Sequence, residues 1–274
     1  MNKQDFVAVV TVMNCNPNGD PLNEGRPRTN LEGYGEISAE CCKRKIRNRL
    51  QDMGRNIFVQ SDSRIDDGIR SLSERAKALP GLNDALMTDV DSAKEIACAA
   101  WEDVRLFGQL FAFKGGISVG IRGAVTICHA RSVNPVDIKD IQITKSTNGE
   151  PNKKKKESGE EYDHMSSDRM GNKALVEKGV YVIKGSVNPH YSEKNGVSKE
   201  DIKDLQKALA TLFENDESSA RPSGSMDVKQ VYWFTQDEND YISTAKVFDL
   251  VSVDNDGNAT VKELPAGVEM ELLL

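Results

Sequence analysis

The run Phe6–Met13, F-V-A-V-V-T-V-M, constrains the fold of this chain more than any other stretch. It is apolar, β-branched and short, and it shows no alternation of polar and apolar residues. Such a run reads as a strand buried on both faces. It opens into a Pro/Gly/Asn loop, Asn14–Gly35, that carries Arg26 and Arg28. A helix over Ser38–Met53 follows, with Ser38 as its N-cap. At about 100° per residue, Ala39, Cys42, Ile46, Leu50 and Met53 fall on one stripe. Lys43 and Arg49 flank the stripe, Lys45 and Arg47 lie further round, and Arg44 points almost opposite. The helix can therefore dock on a sheet and still offer cations on both sides. A strand, a loop rich in backbone N–H groups and a basic helix together suit phosphate oxygens.

Further along, Arg64–Leu79 and Ala93–Phe111 read as helices separated by Pro80-Gly81. Lys114–Gly123 is glycine-rich, and Ala124–His129 reads as a strand. Residues 145–173 are polar, with the run Lys153–Lys156, and predict a mobile loop or hairpin tip. Gly179–Val187 reads as a strand, Ser198–Phe213 as an amphipathic helix, Asp227–Thr235 as a strand and Asn255–Gly257 as a turn. Without the inserts the order is βαββαβ. The predicted class is α+β, a modified RRM/ferredoxin-like core. It is one domain with insertions, its core at about 1–53, 121–130 and 179–274, a helical insert at about 54–120 and a polar insert at about 131–178.

A chain of 274 residues with 38% hydrophobic and 29% charged content is expected to be soluble and globular. No apolar run approaches the length needed to cross a bilayer, and the first residues lack the apolar core of a signal peptide, so a cytoplasmic location is expected. Five cysteines without a C-x-x-C predict reduced thiols and neither disulfides nor structural zinc. The net charge of −7 is unevenly spread: residues 236–274 hold nine acids and two bases, and residues 26–55 hold eight bases and four acids. That asymmetry keeps a nucleic-acid partner in play. Gly116-Ile117-Ser118-Val119-Gly120 matches the nucleophile elbow of serine hydrolases, but a helix precedes it and a strand follows, the reverse of what the elbow requires. His129, His164 and His190 show no ligand spacing, and Asp254–Asn258 lacks the glutamate of a calcium loop, so no metal and no cofactor are expected. No aromatic RNP-like strand is present, which leaves any RNA contact to the backbone rather than the bases.

Six ordered blocks carry a resemblance to a known family. They are N-P-N-G-D-P with R-P-R (Asn16–Arg28), C-K-R-K-I-R-N (Cys42–Asn48), D-V-R-L-F-G with I-R-G-A-V-T (Asp103–Thr126), A-R-S-V-N-P (Ala130–Pro135), D-R-M-G-N-K (Asp168–Lys173) and G-V-Y-V-I-K-G (Gly179–Gly185). Together they resemble the repeating backbone subunit of type I CRISPR Cascade complexes, the Cas seven family, and within it the Csd/Csh group. The resemblance implies an RRM-like palm, a helical finger and a thumb hairpin, the last two falling on the inserts. It implies an RNA-binding, non-enzymatic subunit that assembles in several copies along one guide RNA. The partners implied are that RNA, further copies of the chain, other Cascade subunits and target DNA, with no membrane. Arg26, Arg28, Lys43, Arg44, Lys45 and Arg47 match palm positions that hold RNA phosphates. Met170 and Gly171 match the thumb, with Met170 as the wedge between bases, and Arg122 with the glycine loop is placed near RNA. Cys15 departs from the glycine expected in the first loop, and the Lys153–Lys156 tract is longer than the family's. A metal-dependent ribonuclease using Asp20, a serine hydrolase using Ser118 and a protein-only filament are the alternatives the residues leave open.

Overall fold

The computed structural model describes residues 1–113, 117–144, 153–155, 161–163, 170–238 and 240–274. Its first half runs β1 (Gln4–Cys15), β2 (Tyr34–Ile37), α1 (Ala39–Asp52), α2 (Leu72–Ala78), α3 (Leu82–Thr88), α4 (Val90–Ala100), α5 (Glu102–Phe107), β3 (Gly108–Phe111) and β4 (Val119–Arg122). Then come β5 (Val125–Ile127), β6 (Ala130–Pro135), β7 (Ile138–Thr144), β8 (Lys153–Lys155), β9 (Glu161–Asp163) and β10 (Met170–Val187). The chain closes with α6 (Pro189–Asn195), α7 (Lys199–Ala210), β11 (Met226–Gln236), α8 (Thr244–Phe248), β12 (Val251–Val253), β13 (Ala259–Val261) and β14 (Val268–Leu272).

The run that opens the sequence behaves as its composition demands. Strand β1 lies inside an antiparallel sheet ordered β14-β11-β1-β10-β6-β2, with β5 and β7 also paired to β10. Phe6, Ala8, Val10 and Val12 enter the core under α1 and α7. Val7 and Val9 face the other way, onto Tyr232, Phe234, Val247 of α8 and Val251 of β12. Layers thus cover both sides of β1, so the run needs no polar alternation. Phe6 stacks on Trp233 across the β1/β11 pair, with ring centroids 5.5 Å apart. Helices α1 and α7 begin where the sequence predicts. The Ser38 hydroxyl accepts from Cys41 N–H, and Ser198 forms a reciprocal capping box with Asp201.

The helical insert departs from expectation. Of 64–79 only α2 is α-helical, because the chain before it wraps the Arg75 side chain. That guanidinium donates to Asp67 Oδ2 at 2.5 Å, Phe58 O at 3.0 Å and Ile69 O at 2.6 Å. The helix expected over 93–111 starts at Val90, breaks at Trp101 and stops at Phe107. Trp101 is drawn out of helical geometry into contact with Phe58, at 4.6 Å between rings, and Gly108 takes φ 75°. Residues 108–111, expected as the end of that helix, instead form β3, which pairs with β4 in the register Gly108↔Arg122 to Phe111↔Val119. A Cβ on Gly108 would collide with Ile121 O, and one on Gly123 with the Phe107 carbonyl carbon, so both positions require glycine. The insert has its own core around Phe58, Leu82, Trp101, Val104 and Phe111.

Strand β10 is about twice the length expected. Its second half pairs with β1 and β5, and its first half pairs with β7 in the register Met170↔Thr144 to Val176↔Ile138. Most of the polar tract thought to be mobile falls outside the described residues. Within it, Lys153–Lys155 pairs with Glu161–Asp163. Asn255–Gly257 forms a turn as expected. Asp254 accepts from Asp256 N–H and Asn258 N–H, and the Lys229 ammonium donates to Asp256 O at 2.8 Å and Asn258 Oδ1 at 3.0 Å. No helix is long and apolar enough to cross a membrane among the described residues.

Candidate nucleic-acid interface

Where β1 ends, Asn14 turns the chain at φ 49° and the loop folds back on itself. Asn16 Nδ2–H donates to Gly25 O at 2.7 Å, and Asp20 Oδ1 accepts from Leu22 N–H at 3.1 Å, capping a short 3-10 turn at Pro21–Asn23. Bridges Gly19↔Pro27 and Thr29↔Gly35 close the ribbon. Asn18 then ties it to the helix, its Oδ1 accepting from Ser38 N–H at 2.8 Å. Hydrogen bonds within the loop and to Ser38, with Asn16 N–H donating to Ala220 O at 2.9 Å, thus hold Arg26 and Arg28 beside the start of α1.

Arg26 is half-buried and forms a two-pronged pair with Asp140 on β7, with Nη1 to Oδ1 at 2.5 Å and Nη2 to Oδ2 at 3.2 Å. Hydrogen bonding to Asp140 raises its pKa above the ordinary arginine value. Arg28 reaches Asp20 Oδ1 at 3.3 Å, and its buried Nε has no partner among the described residues. Between this loop and the β7–β10 pair lies a cleft of about 450 Å³, lined by Asn16, Arg26, Asp140, Asn172 and Lys173 among others. Such a donor-rich cleft can accept an anion with more than one oxygen.

The α1 cations divide into distinct environments. Lys43 is half-buried and has no partner among the described residues. Arg44 donates Nη1–H to Val59 O at 2.6 Å, and burial lowers its pKa, with Arg47 adding to the effect. Lys45 does not lie on an outward face. It is 3% exposed, pairs with Asp216, and lies over the Phe213 ring at 5.3 Å. Arg47 is likewise drawn inward. Its Nε donates to Asp103 Oδ2 at 2.8 Å, and Asp103, itself fully buried, also accepts from Phe58 N–H at 2.7 Å and Val59 N–H at 3.2 Å. These two cations brace α1 against α5 and the segment after α7, which corrects the expectation that the helix offers them to solvent.

The cations still share a field. Cys41 at the head of α1 has its thiol pushed up by burial and drawn down by Lys45, Arg221 and Arg28. Arg221, which pairs with Asp216 at 3.3 Å, has no sequence motif to announce it and was missed. Lys173, also missed as a site residue, donates to Ser219 O at the floor of the cleft. Arg122 stands elsewhere, exposed at the end of β4, donating Nη1–H to the Tyr191 hydroxyl at 2.7 Å. Met170 and Gly171 sit at the far end of the β7–β10 pair, opposite Thr144 and Ile143. Ser118 is exposed and immediately precedes β4, without the strand-to-helix turn of an elbow. Asp20 is committed to its turn and to Arg28. No group of three metal-ligating side chains occurs among the described residues.

This geometry defines a mixed α/β protein on a central antiparallel sheet, with a basic loop–helix unit at one end of its central strand. The profile of the family described as CRISPR-associated protein Cas7 matches residues 2–270, and the chain belongs to that family. A protein from Haloferax volcanii described as CRISPR-associated protein Cas7 is 24% identical over 253 residues, covering 82% of this chain and 68% of that protein. A chain of a pre-nicking CRISPR RNA-guided surveillance complex superposes with a TM-score of 0.54 at 16% identity, over 90% of this chain and 81% of that one. A chain of a second CRISPR RNA-guided surveillance complex gives 0.51 at 18% identity, over 93% of this chain and 77% of that one. At these identities the structural matches establish the fold.

Proposed function

We propose that this chain binds guide RNA through its phosphates and repeats along it as the backbone of a CRISPR surveillance complex, without catalysing a reaction itself. The observation that carries this reading is the Arg26/Arg28 loop, seated on the start of α1 and facing a cleft walled by β7 and β10. Family membership and the RNA-guided complexes in which similar folds occur support it. The strand order β11-β1-β10-β5, with α1 and α7 packed on one face, supports the palm as a modified RRM/ferredoxin-like unit. The opposite sheet face is covered by α8 and β12, so the surface on which an RRM stacks bases is already occupied. That favours backbone contacts with little sequence preference. The β7–β10 pair fits a thumb, with target DNA pairing between successive thumbs and other subunits at the ends.

The test is purification from a cell making a CRISPR transcript, followed by salt titration of the chain on single-stranded RNA. Bound RNA of discrete length is expected, with log Kd rising by about 0.7 per phosphate contact per log unit of salt. Nuclease-resistant assembly without RNA would favour the protein-only filament, and magnesium-dependent cleavage of paired RNA would favour the ribonuclease.

A further inference from the structure

Arg26 and Asp140 join segments 114 residues apart, the palm loop and strand β7, through a fork of two hydrogen bonds. The same planar fork is the one a guanidinium offers to two oxygens of a phosphate. Both side chains are open to water, at 35% and 58% exposure, and both line the cleft between loop and stem. A solvent-exposed pair of this kind holds weakly, because water screens the attraction and two long side chains lose freedom. The other pairs in the region differ. Lys45–Asp216 and Arg47–Asp103 are largely buried and cannot exchange partners without moving α1. Arg28–Asp20 lies within one loop, only eight residues apart, so breaking it frees no separate element.

We infer that Asp140 is an internal stand-in for an RNA phosphate. It positions the Arg26 guanidinium in the free chain and is displaced when a phosphate diester enters the cleft, so the loop-to-β7 bridge and RNA at Arg26 exclude one another. This rests on the RNA-binding reading above and adds a competitor built into the protein. The incoming phosphate must replace a carboxylate rather than water, so Asp140 lowers affinity at the same time as it pre-orients the arginine.

Removing the carboxylate should therefore tighten RNA binding by about 1.5- to 5-fold, the range equivalent to one exposed ion pair. Removing any acid near a polyanion also tightens binding, so the experiment is a double-mutant cycle. The wild-type chain, Asp140→Asn, Arg26→Ala and the double variant are titrated with a polyuridine oligomer at fixed salt, and thermal melts confirm folding. Asp140→Ser serves as a second route to the same charge loss. The expected result is tighter binding for both Asp140 variants, weaker binding for Arg26→Ala, and no difference between Arg26→Ala and the double variant. A gain that persists undiminished without Arg26 is a general charge effect and overturns the inference while the RNA-binding reading stands. So does wild-type affinity in either Asp140→Asn or Arg26→Ala. A wild-type chain that does not bind the oligomer overturns the RNA-binding reading and the inference with it.

Discussion

Lys43 and Lys45 are two residues apart on α1, and the structure gives their alanine variants opposite consequences. Lys45 is 3% exposed, and its ammonium is the counter-charge of Asp216, which is 11% exposed. Breaking a buried pair by deleting one partner costs about 3–5 kcal/mol when the other charge is stranded. Asp216 keeps Arg221 at 3.3 Å, so the stranded charge is partly compensated and we expect less than that, roughly 2–3 kcal/mol, for Lys45→Ala. With a urea m-value of about 3 kcal/mol/M for a chain of this size, the midpoint should fall by about 0.7–1 M. Lys43 is half-buried and unpartnered among the described residues, so Lys43→Ala should move stability by less than about 0.5 kcal/mol. It should instead flatten the salt dependence of RNA binding by about 0.7 in log–log slope, one phosphate contact. Urea titration followed by tryptophan fluorescence, alongside RNA titration at three salt concentrations, reads both effects. Lys45→Met, which keeps the apolar stem against Phe213, should recover part of the stability and bind RNA like the wild type. A Lys45→Ala chain that unfolds at the wild-type urea concentration and yet loses RNA affinity would refute the assignment of Lys45 as a brace.

Glu102 is 4% exposed and its carboxyl is pushed up to about 8, first by burial and then by Asp201 and Asp204. The folded chain therefore holds a proton there that the unfolded chain releases from about pH 4.5 upward, and stability falls as pH rises through that window, by at most about 1.4 kcal/mol per pH unit. Glu102→Gln should remove this slope, so that in urea denaturation it is more stable than wild type at pH 8 and nearly equal to it at pH 4. Replacing residues 145–169 by Asn-Gly joins Thr144 to Met170, which already stand opposite each other, and should leave the melting temperature close to wild type while weakening stepwise assembly on RNA in a gel-shift ladder. Gly123→Ala drives a methyl into the Phe107 backbone and should cost at least about 2 kcal/mol in the same denaturation assay. Ser118→Ala, an exposed change beside β4, should leave both RNA affinity and stability unchanged.

What the sequence disclosed follows from how local each signal is. Strand β1 and helices α1 and α7 were legible because composition and capping residues act within one element, Ser38 and Ser198 marking the helix starts. Strand β7 was not, since six of its seven positions are exposed and carry no periodic pattern. Only its partner across the polar insert makes it a strand. The β3–β4 hairpin was hidden by a helix-like run that only the φ of Gly108 terminates. At the candidate site, Arg26 and Arg28 were legible as cations in a loop of turn-forming residues. The inward fate of Lys45 and Arg47 was not, because the carboxylates that claim them, Asp216 and Asp103, lie 171 and 56 residues away. A helical wheel registers the stripe that docks on the sheet and is blind to such partners.

The same distinction bears on how a chain of net charge −7 would attract the RNA proposed above. The acid-rich segment after residue 236 supplies α8, β12 and β13, which pack on one face of the sheet, whereas α1 packs on the other. Facing layers stack about 10 Å apart, so the two charged layers are separated by roughly 20 Å across the sheet. The screening length is about 8 Å at physiological salt, so the α1 end would meet RNA largely free of the acidic layer. At 0.01 M salt the screening length grows to about 30 Å and the acidic layer is no longer hidden. RNA affinity should therefore rise linearly on a log–log plot as salt falls through the physiological range and then flatten at the lowest salt. Neutralising Asp249, at the end of α8, and Glu263, just after β13, both exposed, should restore the line at low salt and change nothing at physiological salt. A flattening that survives their neutralisation would mean that the acids of this layer do not set it.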